Sequence, residues 1–327
     1  MREKQFISYI KQKSPVLNNN IIKSIGDDCA VIKFNSRKSI LLTTDALCEN
    51  THFNKKYFRP EEIGAKAIAV NISDICSMGG IPKHCLVSIG FHKREKQEFI
   101  DRIYSGLISY SNNYGVDLIG GDTVGADFLF ISVTMLGFAD KKNIFYRSGA
   151  KPGDVIYVTG LLGDSAAGLD VLLNKGRENL NPFEYLPVKK HLVPAPKYME
   201  SRILSESKMV NSCIDISDGL INDLSNITDE SICGAEVYTD RIPVSFSAAN
   251  VAREYRKDPL DYALYGGEDY EFLFTVSRKN NIKFFAFVKK AGLNVFEIGE
   301  ITKKKGIILN YNGKKRKPEL KKIWDHF

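Results

Sequence analysis

Apolar segments of strand length alternate with longer helical patterns along the first part of the chain. The strand-like segments read SILLTTD, HCLVSIGF, VDLIGGD and FLFISVTMLGF. The helical patterns between them run from Glu61 to Met78 and from Glu95 to Tyr114. Strands that alternate with helices in this way are typical of proteins whose sheets are covered by helices. The pattern therefore predicts an α/β (α+β) fold.

The segment YRSGAKPGD, from Tyr146 to Asp154, concentrates glycine and proline and interrupts this alternation. After it the pattern restarts with VIYVTG, a helix from Asp164 to Asn174, and CIDISDG leading into another helix. A chain of 327 residues is also longer than most single domains. We therefore predict two domains, comprising residues 1–148 and 149–327.

Composition favours a cytoplasmic protein. No stretch approaches the roughly 18 consecutive apolar residues of a membrane span, and the start, MREKQFISYIKQKSP, lacks the apolar core and cleavage site of a secretion signal. The six cysteines are scattered without a C-x-x-C pair, which suits reduced thiols rather than a disulfide framework or a zinc site.

The net charge of +7 owes much to a basic segment near the C-terminus. We do not expect it to bind nucleic acid, since aromatic residues are not interleaved and runs of charge are usually solvated faces. The basic residues concerned are Lys303, Lys304, Lys305, Lys314, Lys315, Arg316, Lys317, Lys321 and Lys322.

Five short acidic motifs place aspartates at the ends of apolar segments, beside glycine, serine or threonine. Strand ends form the ligand crevice of α/β sheets, so these carboxylates are expected to converge. Clustered carboxylates repel one another, and oxygen ligands without histidine or cysteine suit Mg²⁺. The motifs are GDD (Gly26 to Asp28), TTD (Thr43 to Asp45), NISD (Asn71 to Asp74), GGD (Gly120 to Asp122) and DISDG (Asp215 to Gly219).

An aspartate before a helix can instead be a capping or turn residue. We favour that role for Asp164 and Asp223, and metal or phosphate binding for GDD, TTD and GGD taken together. Magnesium in an open cleft usually serves phosphate substrates. The chain has neither the P-loop G-x-x-x-x-G-K-[ST] nor the motif set of protein kinases, so any ATP chemistry belongs to another fold.

The ordered series of motifs resembles the thiamine-monophosphate kinase family, of the aminoimidazole-ribotide synthetase-like superfamily. The resemblance covers nearly the whole chain. The segments that carry it are GDDCAVI, LLTTDALCENTHF, KAIAVNISDICSMGG, LIGGDTVGA, RSGAKPGDVIYVTGLLGDSAAGL, IDISDGLINDL, YGGEDYE and the terminal DHF.

The resemblance implies a two-domain aminoimidazole-ribotide synthetase-like fold, whose N-terminal domain contributes strands to a dimeric β-barrel in a homodimer. It implies direct in-line transfer of the ATP γ-phosphoryl group to thiamine monophosphate, which yields thiamine diphosphate and ADP. Such a transfer depends mainly on positioning and charge neutralisation, so several Mg²⁺ ions are expected.

The resemblance also assigns site residues. It implies metal binding by Asp28, Thr43, Thr44, Asp45, Asp74, Asp122, Asp215 and Asp218, with Asp45, Asp74, Asp122 and Asp215 central to catalysis, and with Asp27 as a neighbour ranked lower. For ATP it implies Gly121, Asp122, Arg147 and Ser217, and for thiamine monophosphate His52, Glu268 and Trp324.

Several of these assignments have alternatives. Arg147 could form a linker salt bridge, and Glu268 could be a solvated turn carboxylate; if it binds the acceptor, it lies near the thiazolium or bonds to the aminopyrimidine. The family often ends W-x-G-Y-D-H-F, whereas this chain ends KKIWDHF, with Lys321 where the family has tryptophan. Trp324 therefore either supplies the aromatic face in a shifted register or anchors the tail.

Other functions within and beyond the superfamily were weighed. A selenophosphate synthetase would need a glycine-rich N-terminal segment with a reactive cysteine, and the hydrogenase maturation factor ends in a reactive cysteine; this chain has neither. Aminoimidazole-ribotide synthetase remains the alternative enzyme. A nucleotide- or thiamine-binding protein without catalysis would be expected to lack metal ligands, and a purely structural protein would leave the acidic motifs unexplained.

Overall fold

The computed structural model describes residues 3–323, with every side chain among them except that of Leu320. The predicted helices lie within two residues of their expected positions, and the predicted strands are shifted or extended by up to four residues at one end. The first group of elements is α1 (Glu3–Lys13), β1 (Ile21–Lys23), β2 (Ala30–Lys33), β3 (Lys38–Cys48), α2 (Pro60–Ser77), β4 (Ile81–Phe91), α3 (Gln97–Asn113), β5 (Asp117–Gly125) and β6 (Phe130–Asp140).

The second group follows a linker and contains the remaining strands and helices. These are β7 (Asp154–Val158), α4 (Asp164–Lys175), α5 (Tyr185–Leu192), α6 (Tyr198–Ser207), β8 (Val210–Asp215), α7 (Leu220–Glu230), β9 (Gly234–Tyr238), α8 (Phe246–Glu254), α9 (Pro259–Tyr265), β10 (Phe272–Ser277), α10 (Asn281–Lys290), β11 (Phe296–Thr302), β12 (Gly306–Tyr311) and β13 (Lys314–Arg316). The predicted boundary between residues 148 and 149 falls in the linker and stays a prediction.

The N-terminal sheet has six strands in the order β1-β2-β3-β6-β4-β5. Neighbouring strands are antiparallel except β4 and β5, which are parallel. Side chains alternate between the faces: Ile131, Val133 and Met135 of β6 are buried, while Leu86 and Ile119 remain exposed. One face thus packs against the core and the other is open. Within residues 3–323 the sheet does not close into a barrel.

The C-terminal sheet has seven strands in the order β13-β12-β9-β11-β7-β10-β8. Its interior strand β7 is buried along its whole length, and alternate residues enter two different cores: Tyr157 packs in one and Ile156 in the other. Because both faces are covered, this strand reads as a continuous apolar run rather than an alternating one.

Helix α2 is buried nearly all round and lies between the domains. It crosses α3 at two glycines. A Cβ on Gly64 would lie 2.2 Å from the carbonyl oxygen of Ile103, and one on Gly106 would lie 2.1 Å from that of Glu61. Both distances are far below contact, so the two helix backbones approach each other more closely than any side chain would permit.

Polar contacts fasten α2 and its leading segment to the second domain. Ser201 of α6 donates its hydroxyl to the carbonyl of Cys76 at 2.6 Å. Arg177 forms a two-nitrogen pair with the carboxylate of Glu62, at 2.8 and 2.9 Å, and also donates to the carbonyl of Tyr57. These bonds fix α2 relative to the C-terminal domain. No helix in residues 3–323 has the length and apolar character needed to span a bilayer.

Candidate active site

A cleft of about 1650 Å³ is lined by residues from both domains. Most of the predicted site residues converge on it, although they are far apart in sequence. Those that line the cleft are Asp28, Thr43, Thr44, Asp45, His52, Asp74, Arg147, Asp215, Ser217, Asp218 and Glu268.

Secondary-structure ends position the acidic residues, as the strand-end pattern predicted. Asp45 lies near the end of β3, Asp74 on the last turn of α2 and Asp215 at the end of β8. The Thr43 hydroxyl donates to Asp74 Oδ2 at 2.5 Å, and the Asp45 backbone N–H donates to the side-chain oxygen of Asn71 at 3.2 Å. Neighbouring elements thus hold the carboxylate of Asp74 and the backbone of Asp45 through specific hydrogen bonds.

The carboxylates of the cleft repel one another. Burial, then the charges of Asp218 and Asp28, raise the pKa of Asp45 to about 6. Burial and the charge of Asp28 raise the pKa of Asp215 to about 8, although a hydrogen bond from Ser73 acts in the opposite direction. Burial and the charge of Asp45 raise the pKa of Asp74 well above its usual range. This is the electrostatic environment that a cation would relieve.

Arg147 supplies positive charge at one side of this cluster. Its Nε and Nη2 atoms lie 2.8 and 2.6 Å from Asp28 Oδ1, and its backbone N–H donates to Asp27 at 3.0 Å. The Ser77 hydroxyl donates to the other Asp28 oxygen at 2.5 Å. Burial, then the charge of Asp28, raise the pKa of Asp27 to about 6. Arg147 therefore forms the linker ion pair and also faces the cleft.

Glu268 and His52 lie at another part of the cleft. Glu268 Oε1 lies 2.7 Å from Nζ of Lys66, and Oε2 lies 3.1 Å from Nδ1 of His191. His52 accepts a hydrogen bond at Nδ1 from the Cys48 N–H at 3.0 Å. Burial would raise the pKa of Glu268, but Lys66 and then His191 outweigh it and lower the pKa to about 2. Glu268 is thus an ionised, doubly paired carboxylate rather than a solvated turn residue.

Two predicted residues lie outside the cleft. Gly121 and Asp122 are exposed on the edge strand β5 and do not line the cleft. A Cβ on Gly121 would lie 1.9 Å from the carbonyl oxygen of Val87, so packing against β4 is one reason for glycine there. Trp324 lies outside the described residues.

The two aspartates for which capping was favoured are buried within the protein. Asp223, in the first turn of α7, accepts hydrogen bonds from the backbone N–H groups of Ser217 and Asp218, each at 3.1 Å. Asp164, the first residue of α4, pairs with Lys190 at 2.8 Å and accepts from Ser245. Asp223 thus holds the backbone around the site, whereas Asp164 bonds to side chains and does not cap α4, whose N-cap is Gly163.

Sequence reasoning missed Lys66, Ser73 and His191. Lys66 and Ser73 belong to the segment KAIAVNISD, in which only the aspartate has the residue type and neighbours typical of a metal ligand. His191 follows two lysines in a segment without any motif, so only its proximity to Glu268 in the fold reveals it.

The carboxylate and hydroxyl oxygens that the cleft offers as metal ligands suit Mg²⁺ rather than zinc. No group of three or more His, Cys, Asp or Glu side chains in residues 3–323 is already arranged to hold a metal ion. Magnesium is usually held by few carboxylates together with waters and substrate phosphates, so this arrangement suits an ion that arrives with phosphate.

Both domains of the chain match a known protein family. Residues 26–139 match the model of AIR synthase related protein, N-terminal domain, and residues 151–312 match the corresponding C-terminal domain. Thiamine-monophosphate kinase of Buchnera aphidicola subsp. Acyrthosiphon pisum is 39% identical over 99% of this chain and 98% of its own length. The Aquifex aeolicus enzyme of the same name is 35% identical over 93% of each chain. The chain belongs to the thiamine-monophosphate kinase family.

A solved structure agrees with this membership. The structure described as AaThiL complexed with AMPPCP and TMP is 33% identical, with a TM-score of 0.87 over 100% of this chain and 97% of the other. The two-domain AIR synthase-like fold expected from the sequence is therefore confirmed.

Proposed function

We propose that the protein transfers the γ-phosphoryl group of ATP directly to the phosphate of thiamine monophosphate, giving thiamine diphosphate and ADP. The observation that carries this proposal is the division of one cleft into a carboxylate cluster around Asp74 and a separate group around Glu268. Its relatives are thiamine-monophosphate kinases, and the similar solved structure holds an ATP analogue together with TMP.

The carboxylate cluster is the proposed phosphate and magnesium end. Asp28, Thr43, Thr44, Asp45, Asp74, Asp215 and Asp218 would hold Mg²⁺. Bound magnesium would neutralise the charges of the phosphates and of the carboxylates. The Arg147 guanidinium, held by Asp28, would pair with phosphate oxygens, and Ser217 would add a neutral contact to ATP. Phosphoryl transfer depends on such positioning, and no protein nucleophile is required.

The Glu268 group is the proposed acceptor end. His52 and Glu268 would contact thiamine monophosphate and direct its phosphate toward the carboxylate cluster. Both groups line the same cleft, so donor and acceptor can be bound in it together.

We further propose that the protein is a homodimer in which Gly121 and Asp122 of one copy contribute to the cleft of the other. These residues lie on an exposed edge strand, and the face of the N-terminal sheet that carries Leu86 and Ile119 is open. An edge strand and an open apolar face are suited to pairing with a second sheet. Strands of two copies would then form the predicted barrel, with β5 of one copy beside the cleft of the other.

The alternative enzyme, aminoimidazole-ribotide synthetase, shares the domain family but is a less good match, because the curated relatives described above are thiamine-monophosphate kinases. We place the activity in the cytoplasm, where the six free cysteines would stay reduced.

The test is a direct assay. Purified protein, Mg²⁺, ATP and thiamine monophosphate should give thiamine diphosphate and ADP in equal amounts, measured by chromatography. Asp74→Asn should suppress the reaction while the melting curve stays cooperative. A folded wild-type protein that forms no thiamine diphosphate would sink the proposal.

A further inference from the structure

Lys66 is a fully buried lysine on α2, with a relative exposure of 0%. Its Nζ lies 2.7 Å from Glu268 Oε1, 3.0 Å from the carbonyl oxygen of His52 and 5.2 Å from the centre of the Phe58 ring. A buried ammonium is costly unless charged and polar partners compensate it. These three partners therefore compensate the burial of the Lys66 ammonium.

The two polar partners of Lys66 come from different domains. His52 belongs to the segment between β3 and α2, whereas Glu268 follows α9 in the C-terminal domain. Both line the cleft, and Lys66 does not. Lys66 therefore lies behind the surface of the cleft. It connects His52 and Glu268, the two residues proposed to contact the acceptor.

His191 holds the second oxygen of Glu268. Its Nδ1 lies 3.1 Å from Glu268 Oε2 and 3.2 Å from the Ser165 hydroxyl. Since an ionised carboxylate only accepts hydrogen bonds, Nδ1 carries the proton and donates it to Glu268. Each carboxylate oxygen of Glu268 thus has one donor on the protein side.

The backbone of Glu268 is also constrained. Its φ angle is +64°, a left-handed conformation that costs energy for a residue with a side chain. Its N–H donates to the carbonyl of Ser217 at 2.7 Å. Such a conformation persists only where several contacts determine it, and Lys66 and His191 supply two of them at the side chain.

We propose that Lys66 is a positioning residue for the acceptor, which locks the Glu268 carboxylate and the His52 main chain together across the domain boundary. This inference rests on the proposed function. Because Lys66 already balances the charge of Glu268, the pair presents hydrogen-bond acceptors to the cleft rather than a free negative charge. It therefore recognises a hydrogen-bond donor, such as the exocyclic amine of an aminopyrimidine, rather than the cationic thiazolium.

The first experiment uses Lys66→Met, which keeps the length of the side chain and removes its charge. Calorimetric titration should show thiamine monophosphate affinity at least about tenfold weaker, with Mg²⁺–ATP affinity within about twofold of wild type. The KM for thiamine monophosphate should rise, while kcat at saturation falls by less than about threefold. Unchanged affinity for thiamine monophosphate, or equal losses for both ligands, would overturn the inference.

A matched control is Lys175→Met. Lys175 lies 2.6 Å from Glu184, whose side chain is buried, and neither residue lines the cleft. This variant should leave both affinities unchanged. A loss of thiamine monophosphate affinity equal to that of Lys66→Met would assign the effect to general destabilisation and contradict the inference.

A second variant guards against a failure of Lys66→Met to fold. Combining Lys66→Met with Glu268→Gln leaves no buried charge unpaired. Its affinity for thiamine monophosphate should match that of Glu268→Gln alone within about twofold, because Lys66 acts through Glu268 and the two effects are not additive. A further additive loss in the double variant would contradict the inference.

Ligand preference provides a readout that loss of stability alone would not change. Wild type should prefer thiamine monophosphate to the analogue whose exocyclic pyrimidine amine is replaced by oxygen, and Lys66→Met should lose most of that preference. Retention of the full preference counts against the inference. If wild type makes no thiamine diphosphate, the proposed function fails; if it does and Lys66→Met binds normally, only this inference fails.

Discussion

Ser73 Oγ lies 2.5 Å from Asp215 Oδ2, so a hydroxyl of the N-terminal domain donates to a carboxylate of the C-terminal domain. The hydrogen bond lowers the pKa of Asp215, against the larger effects of burial and of Asp28, which raise it to about 8. The relative placement of the domains therefore influences how readily Asp215 ionises.

Ser73→Ala should lower kcat by about ten- to a hundredfold, because a hydrogen bond to a charged group contributes about 1.5–3 kcal/mol. The KM for thiamine monophosphate should change little, since Ser73 does not line the cleft. Steady-state kinetics measure both. Ser201→Ala is the control: it removes another interdomain hydroxyl contact, to the Cys76 carbonyl, without touching a site carboxylate. A similar loss of kcat in both variants would refute the assignment to Asp215.

Magnesium alone should raise the melting temperature of wild type, and more at pH 8 than at pH 6. The folded pKa values of Asp45 and Asp215 are raised to about 6 and about 8, above the usual 3.8. Their stabilising contribution exists below the unfolded pKa and is lost as the pH rises through the folded values. A bound cation offsets the repulsion that then appears. Thermal melts measure this shift.

The magnesium shift should shrink in Asp74→Asn and persist in Asp154→Asn. Asp154 is buried but lies outside the cleft, where it accepts from Lys151 and Asn211. A shift that is independent of pH, or equal in both variants, would contradict magnesium binding at the cluster.

Mixing two inactive variants should restore activity if β5 of one copy serves the cleft of the other. Asp74→Asn and Asp122→Asn would each inactivate both sites of a homodimer. After random exchange of equal amounts, half of the dimers are mixed, and each mixed dimer holds one intact site. Activity should therefore reach about a quarter of wild type. Activity that stays at the level of the separate variants would show that Asp122 does not act across the interface.

Acid should narrow the stability difference between wild type and Glu268→Gln. The folded pKa of Glu268 is about 2, below the usual 4.5, so its contribution is present above the unfolded pKa and is lost as the pH falls from about 4.5 toward 2. The difference in unfolding free energy should fall by at most about 1.4 kcal/mol per pH unit in that window. Urea titrations between pH 6 and 3 measure it. A constant difference would argue against an ionised Glu268.

The local pattern of this chain was sufficient for much of the fold. It predicted strands with alternating burial, such as β6, and the linker rich in glycine and proline. These features could be predicted because they depend on residues close together in the sequence. The aspartates of the cleft could also be predicted, since they belong to short motifs beside glycine, serine or threonine. The role of Lys66 could not be predicted, because it depends on the contact with Glu268, about two hundred residues later in the chain.

The positions of Gly121 and Asp122 illustrate another limit. A glycine pair before an aspartate suits phosphate binding, but it equally suits a strand that packs closely on its neighbour, as Gly121 does on Val87. Sequence alone does not distinguish these causes, and strand order decides which aspartates meet within one chain.

Gly106→Ala should destabilise the protein by about 1–3 kcal/mol, since the added methyl group would lie 2.1 Å from the Glu61 carbonyl oxygen and force α2 and α3 apart. It should also lower kcat, because α2 carries Asp74. Chemical denaturation and kinetics check the two effects. Ser105→Ala, at an exposed position of the same helix, should change neither. Lower stability with an unaltered kcat would show that α2 does not shift.

The glycine crossing of α2 and α3 thus has a consequence for how the enzyme can evolve. The position of Asp74 at the cleft, and of Lys66 and Ser73 behind its surface, is set by two absent methyl groups on the far side of the helix, where no substrate reaches. Substitutions around the cleft can change which ligand is bound. A substitution at Gly64 or Gly106 would instead displace Lys66, Ser73 and Asp74 together. The back of this helix is therefore expected to tolerate less change than parts of the surface that touch the ligands.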